Sequence, residues 1–348
     1  MNAPARIERV TVREENLLAG PAAARIDAFV LGQPDGTPFH RPQWSRAVAA
    51  GAGCPAHYLV AEQGGALIGV LPLSEIRSPL FGASLVSSGF AVGGGILALS
   101  GEAAVALSDA AQLLAERLRC PTIELRGGPL PPFWRQSEGT YAGFVRDLPG
   151  DEDAILKSIP RKQRAEVRKA LGNCLEARFG RDLASHFAVY AESVRNLGTP
   201  VFPRALFRAM LAEFGSDADI LVISRDGKPL SAVLSLYMNG IVYPYWGGGT
   251  ADARAARANE LLYFELMKHS AERGCTRFDF GRSKFGTGAF AFKKNWGFEP
   301  EPLVYASWGE PRETNPLSPK YRLQVAAWKK LPLWAANLAG PIIAKGLG

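Results

Sequence analysis

Cysteine is scarce in this chain. Cys54, Cys120, Cys174 and Cys275 are scattered over 348 residues, and none belongs to a CxxC pair. That spacing argues against a zinc site and against a disulfide framework, and it fits a reducing compartment. Histidine is equally sparse. His40, His57, His186 and His269 form no HxxxH or HExxH pair, so no metal site is expected. Long apolar runs are missing as well. No stretch reaches the roughly 18 residues that a membrane-crossing helix needs. The opening MNAPARIERVTVREEN has no apolar centre of the kind a secretory signal requires. No short-period repeat is visible.

What is present is ordinary globular composition with a basic excess. Hydrophobic residues make up 47% of the chain, the net charge is +7 and the pI is near 9.3. The charge suits an anionic partner, whether a nucleotide, an RNA, a phosphosugar or an acidic lipid surface. The length predicts two domains.

The chain reads as α/β with mixed sheets. HYLVAEQGGALIGVLPLSEI (57–76) predicts two strands joined at Gly64-Gly65. Ala103–Arg119 predicts a helix stopped by Cys120-Pro121, with a strand at Pro121–Leu125. The small-residue stretch 80–98 reads as a tight bend between packed strands, with contact to a ligand as the alternative. Pro149-Gly150 marks a boundary, and Asp151 is a candidate N-cap. Beyond it, helices are expected at Ala184–Asn196, Arg204–Phe214, Ala255–Arg273 and Phe290–Asn295. Strands are expected at Ile220–Arg225, Leu230–Met238, Ile241–Trp246, Thr276–Phe280 and Pro302–Trp308. Asp226-Gly227 and Asn239-Gly240 are strong hairpin turns. The domains are therefore 1–148, 149–310 and a tail at 311–348. In the tail, Pro311, Pro316 and Pro319 form a linker. Tyr321, Val325 and Trp328 then share a helical face, with Arg322, Lys329 and Lys330 off it. That helix either docks on the protein or lies on an acidic membrane surface.

Three constellations carry chemistry. In IPRKQRAEVRKALG (159–172), Arg161, Arg164 and Arg168 form one helical stripe beside Lys162 and Lys169. Lined-up guanidinium groups suit phosphate or carboxylate, and a solvated basic face is the alternative. In VYPYWGGGTADARAARANELLYFELM (242–267), a strand ends in Gly247-Gly248-Gly249 and a helix soon starts. Such a start binds anions through its open N–H groups. The third is FDFGRSKFGTGAFAFKKNWGF (278–298), where Asp279, Arg282, Lys284, Lys293 and Lys294 crowd around small residues. Cations beside glycines suit an anionic substrate.

The second of these is similar to the pyrophosphate-holding loop of GCN5-related N-acetyltransferases (GNAT), Gln/Arg-x-x-Gly-x-Gly/Ala. Here it reads Arg254-Ala-Ala-Arg257-Ala-Asn259, so both glycines are replaced. FKKNWGFEPEPLVY (292–305) resembles the strand, helix and Gly-Phe ending of the same superfamily. Together with LGTPVFP (197–203), these motifs closely resemble the FemAB-related proteins associated with PEP-CTERM/exosortase systems.

The resemblance implies two tandem GNAT-like domains plus the basic, apolar tail. It also implies acyl or aminoacyl transfer to an amine of a cell-envelope or exopolysaccharide precursor, with acyl-CoA or aminoacyl-tRNA as co-substrate and no bound cofactor or metal. The acceptor would be an anionic small molecule or a lipid-linked saccharide. The expected location is the cytoplasm, with or without peripheral contact to the inner membrane. Phe292 and Lys293 match the Phe-Lys pair that the Fem family places at the reacting centre. Lys162 and Arg164 match its basic acceptor-binding helix.

Lys293 would stabilise the oxyanion or the departing group. Asp279 would act as base or orient the amine, unless it only pairs with Arg282. Arg161, Lys162, Arg164 and Arg168 would hold a pyrophosphate-linked acceptor. Arg282, Ser283 and Lys284 would hold the donor or the acceptor's anionic end. Tyr243 and Tyr245 would donate hydrogen bonds to a sugar or carbonyl, or simply pack. Asn259 would begin its helix and point into the cleft. A non-catalytic, membrane-peripheral scaffold for polysaccharide synthesis is the competing class.

Overall fold

The computed structural model describes residues 9–17, 20–310 and 321–348. The expected proline linker and residues 1–8 lie outside the described residues. The chain divides into two compact units. One runs through Ser137 and takes back the strand after Val304 and the last residues, Gly346–Gly348. The other holds Glu138–Leu303 and the C-terminal helices up to Lys345.

The first unit contains β1 (Thr11–Glu14), α1 (Gly20–Leu31), α2 (Pro42–Ala52), β2 (Ala56–Gln63), β3 (Ala66–Ser78), β4 (Gly82–Ser87), β5 (Leu97–Ala98), α3 (Gly101–Arg117), β6 (Thr122–Arg126) and β7 (Arg135–Ser137). Its sheet runs β1-β2-β3-β4-β6, continues into a late strand described below, and ends on β7. β2, β3 and β4 form an antiparallel meander. α3 then crosses over so that β6 lies parallel to β4, with Leu85 opposite Ile123. Leu107, Ala111, Leu114 and Ala115 of α3 bury onto Leu71, Leu73, Leu85 and Ile123 of the sheet.

The second unit begins with β8 (Tyr141–Gly143), β9 (Val145–Asp147), α4 (Glu152–Ser158), α5 (Arg161–Leu171), β10 (Glu176–Gly180), α6 (Leu183–Leu197) and α7 (Arg204–Phe214). It continues with β11 (Ala218–Arg225), β12 (Lys228–Met238), β13 (Ile241–Gly249), α8 (Ala253–Ala256), α9 (Ala258–Glu272), β14 (Arg277–Asp279), β15 (Ser283–Lys284), α10 (Gly288–Asn295) and β16 (Glu301–Pro302). The order of its main sheet is β10-β11-β12-β13-β14-β9, and β15-β8-β16 form a small second sheet. The meander is repeated: β11, β12 and β13 are antiparallel, α9 crosses over, and β14 returns parallel to β13. A helical crossover is what a parallel pair requires. Asp151 caps α4 as expected, its carboxylate accepting from the Ala154 N–H at 2.8 Å.

Two boundaries differ from the sequence reading. β8 and β9, expected in the first domain, pair inside the second unit, where Arg146 lies opposite Phe278. The last expected strand splits in two. β16 stays with β8, while β17 (Tyr305–Gly309) pairs with β6 and β7 of the first unit. After the undescribed stretch come α11 (Arg322–Trp328) and α12 (Leu333–Lys345). The expected face of α11 packs on the second unit: Val325 closes on Gly198, and the Trp328 indole donates to the Thr199 carbonyl at 3.2 Å.

Candidate active site

The parallel ladder between β13 and β14 is short. Ile241 lies opposite Arg277 and Val242 opposite Phe278, and there the ladder ends. Asp279, at the end of β14, pairs with Val145 of β9 instead. The stretch of β13 from Tyr243 to Gly249 remains laddered to β12. The sheet therefore opens beyond Val242, with α9 starting near the far end of β13.

The glycines at that end serve packing. A Cβ on Gly248 would come within 2.3 Å of Ser193 Oγ on α6, and one on Gly249 within 2.8 Å of both Ala253 Cβ and Asn259 Oδ1. α6 is tied to the same strand by His186, whose Nε2 lies 2.7 Å from the Trp246 carbonyl oxygen. Burial pushes this imidazole down to about 4, so it is neutral and its Nε2–H donates. Among the described residues its Nδ1 has no partner.

The expected helix Ala255–Arg273 is broken. Arg257 takes φ 57°, which ends α8 and starts α9. Its guanidinium pairs with Glu166 of α5, and the Asn173 amide donates to the Ala256 carbonyl at 2.9 Å. Asn259 does not reach into the opening: its Oδ1 accepts from the Ser231 hydroxyl of β12. It binds the start of α9 to the sheet.

Asp279 and Lys293 form the polar centre. The Gly281 N–H donates to Asp279 Oδ1 at 2.8 Å. Lys293, on α10, donates to the carbonyls of Gly281 at 3.1 Å and Arg282 at 2.9 Å. Its ammonium lies 5.3 Å from the ring centre of Phe144 and 5.4 Å from that of Phe280. Thr287 sets the start of α10, its hydroxyl accepting from the Phe290 N–H. Burial holds the Asp279 carboxyl up at about 6, opposed by the Gly281 N–H and by the charges of Lys293 and Arg277. Burial likewise drives Lys293 down to about 7, opposed by Asp279. Both groups thus titrate near neutrality, as a coupled pair.

The other expected residues divide. Tyr243 is buried, and burial followed by the Asp279 charge raises its hydroxyl pKa, so the phenol stays protonated. Tyr245 stands edge-on to Trp246 at 4.6 Å. Phe292 belongs to an aromatic cluster with Tyr263, Phe280 and Trp296. The Arg282 guanidinium stacks over Tyr141 at 4.4 Å. Ser283 is buried opposite Ala142, with its hydroxyl unpartnered among the described residues, and Lys284 lies opposite Tyr141. Tyr141 and Phe144 were missed from sequence. The alternation in TYAGFVRD was the available signal, hidden by a boundary placed just after it.

On α5, Arg161, Lys162 and Arg168 are exposed, whereas Arg164 is turned back on its own chain. Arg164 donates to the carbonyls of Ile159 at 2.9 Å and Lys157 at 2.7 Å, closing the end of α4. Arg164 is therefore a structural residue of this turn. Arg164→Ala is expected to lower stability by about 1–3 kcal/mol, by orphaning those carbonyls. Acceptor KM should stay within a factor of about 2, since no binding contact is removed. Thermal unfolding together with steady-state kinetics checks this, and an unshifted melting curve with a raised KM would restore the anion-binding role. The turn itself meets α10: Pro160 lies 3.1 Å from the Cβ position of Gly297, and Arg146 bridges the Trp296 carbonyl and the Ser158 hydroxyl.

Residues 161–294 match the acetyltransferase (GNAT) domain family. The solved structure of FemX superimposes with a TM-score of 0.64 at 16% identity, covering 84% of this chain and 96% of that one. A tandem GNAT protein of the clavulanic acid pathway gives a TM-score of 0.56 at 12% identity, covering 87% and 99%. The fold is thus the GNAT fold in tandem, which accounts for the repeated meander and crossover. In sequence, the lipid II:glycine glycyltransferase of Staphylococcus epidermidis is 32% identical over 79 residues, 21% of this chain. The chain spans 19% of the length of that curated relative. The parting of β13 and β14 with the start of α9, inside the stretch that matches the GNAT family, is the candidate active site.

Proposed function

We propose that the chain transfers an acyl or aminoacyl group from an activated carrier to the amine of a cell-envelope or exopolysaccharide precursor. The observation that carries this reading is the Asp279–Lys293 pair, held at the point where the sheet opens and inside the stretch that matches the GNAT family. The reaction needs an unprotonated amine, alignment with the acyl carbon and stabilisation of the oxyanion. Asp279 in its ionised form accepts the proton that the attacking amine gives up. Lys293 in its protonated form faces the negative charge that develops on the carbonyl oxygen or on the departing group. As the tetrahedral adduct collapses, the bond to the carrier breaks and the carrier leaves with the proton that Asp279 took from the amine.

Arg161, Lys162 and Arg168 are exposed and suit the pyrophosphate of a lipid-linked or nucleotide-linked acceptor. Arg282, Ser283 and Lys284 fall to the other anionic end, and Tyr245 to the acceptor's polar groups. The kinship with a lipid II:glycine glycyltransferase favours a lipid-linked acceptor, and the FemAB-related sequence motifs favour a PEP-CTERM/exosortase setting.

The donor is acyl-CoA or an aminoacyl-tRNA. Arg254 is exposed on α8, just ahead of α9, where a carrier phosphate would approach. Calorimetric titration with acetyl-CoA, set beside a gel shift with charged tRNA, separates the two. Saturable binding of one of them, weakened about tenfold in Arg254→Ala, is the expected result. Binding of neither would overturn the reading.

A further inference from the structure

We propose that the outer face of α12 docks on an anionic phospholipid surface, an inference independent of the transferase reading. α12 has two opposite faces. Ala336, Gly340 and Ala344, spaced four residues apart, are buried. A Cβ on Gly340 would come within 2.8 Å of Val201, so this face is fitted to close approach. Trp334, Leu338 and Ile342 have the same spacing, offset by two residues. Two residues advance a helix by about 200°, so they lie opposite the docked face. They are 72%, 72% and 75% exposed. Three large apolar side chains in line on one helix face are not explained by packing among the described residues. On α11, Leu323 is 82% exposed.

The charge around this face selects the occupant. From Tyr321 to Gly348 the chain carries Arg322, Lys329, Lys330 and Lys345 and no Asp or Glu. Arg322, Lys329 and Lys330 are exposed. An apolar stripe with a tryptophan at one end, in a segment whose charged side chains are all cationic, is suited to the headgroup boundary of an anionic bilayer. The cations meet lipid phosphates while the apolar side chains enter the acyl boundary. α12 has 13 residues, a rise of about 20 Å against a hydrocarbon core of roughly 30 Å. Among the described residues no helix is long and apolar enough to cross a membrane. The helix therefore lies along the surface.

Flotation of the full chain with vesicles of phosphatidylcholine, alone or mixed with phosphatidylglycerol, tests the proposal. Binding is expected with the mixed vesicles only, and it should weaken as salt is raised. Trp334→Ser/Leu338→Ser/Ile342→Ser should lose at least ~100-fold in partitioning, because three buried apolar side chains are removed. These positions are exposed, so the fold should persist, as circular dichroism can verify. Lys329→Glu/Lys330→Glu, which leaves the stripe intact, should lose ~10-fold or more. Absence of flotation with the mixed vesicles, or unchanged partitioning of the triple variant, overturns the proposal. A concentration-dependent dimer that disappears in the triple variant also overturns it, by assigning the face to a second copy.

Discussion

Lys293→Met is expected to lower the transfer rate by roughly 100- to 1,000-fold while donor affinity holds, the loss typical of removing one preorganised donor from an acyl-transfer site. The methionine keeps most of the stem, so Phe144 and Phe280 retain an apolar neighbour. What disappears is the ammonium. Two stability effects then oppose each other. The carbonyls of Gly281 and Arg282 lose their donor, which costs about 1–3 kcal/mol for each group left unpaired. Against this, a cation that burial drives down to about 7 no longer has to be desolvated. The variant should therefore fold, with a melting temperature shifted by only a few degrees, and fail in the chemical step. Single-turnover transfer with a titrated donor separates these outcomes. A rate within a factor of about 3 of the parent would reduce Lys293 to a clamp on the Gly281–Arg282 turn, and the proposed mechanism would lose its electrophilic group.

The hairpins of the second unit were legible because their turns need a backbone that few residues adopt. Asp226-Gly227 and Asn239-Gly240 have φ of 52° and 74°, and 49° and 71°, as a type I′ turn demands. The start of α9 was not legible. Alanines continue the helical spacing through Ala255, Ala256 and Ala258, while the break falls at Arg257, whose partner Glu166 is distant in sequence. β17 shows the limit for strands: local composition signals a strand, but its ladder to β6 joins residues some 180 positions apart, and periodicity carries no information about that choice. Within the site, the crowding of Asp279 and Lys293 could be read from 278–298 alone, because both lie in one short segment. The stripe on α5 was legible as a face, but not where each of its side chains goes. Spacing sets the face a residue occupies, but a long guanidinium can still turn back to its own backbone, as Arg164 does.

The rate of transfer is expected to follow a narrow bell in pH, rising as pH passes about 6 and falling as it passes about 7, the positions at which Asp279 and Lys293 titrate. The active form has Asp279 ionised and Lys293 protonated, and the flanks belong to the pair jointly. Asp279→Asn should abolish the acid limb and lower the maximum by about 10²-fold or more, the usual worth of a positioned base. It should also move the alkaline limb to lower pH, because the carboxylate that raises the affinity of Lys293 for its proton is gone. Stability should respond to the same two groups. Folded Asp279 holds its proton more tightly than the unfolded chain does, from its ordinary 3.8 up to about 6, so stability falls as pH rises through that window. Folded Lys293 releases its proton earlier than the unfolded chain, from about 7 up to its ordinary 10.5, so stability is regained as pH rises through that one. Thermal unfolding should therefore show a shallow minimum near neutrality, absent in Asp279→Asn/Lys293→Met. A rate profile that is flat from 6 to 7, or an acid limb that survives in Asp279→Asn, would mean that the amine arrives already deprotonated. The enzyme would then contribute alignment and oxyanion stabilisation alone.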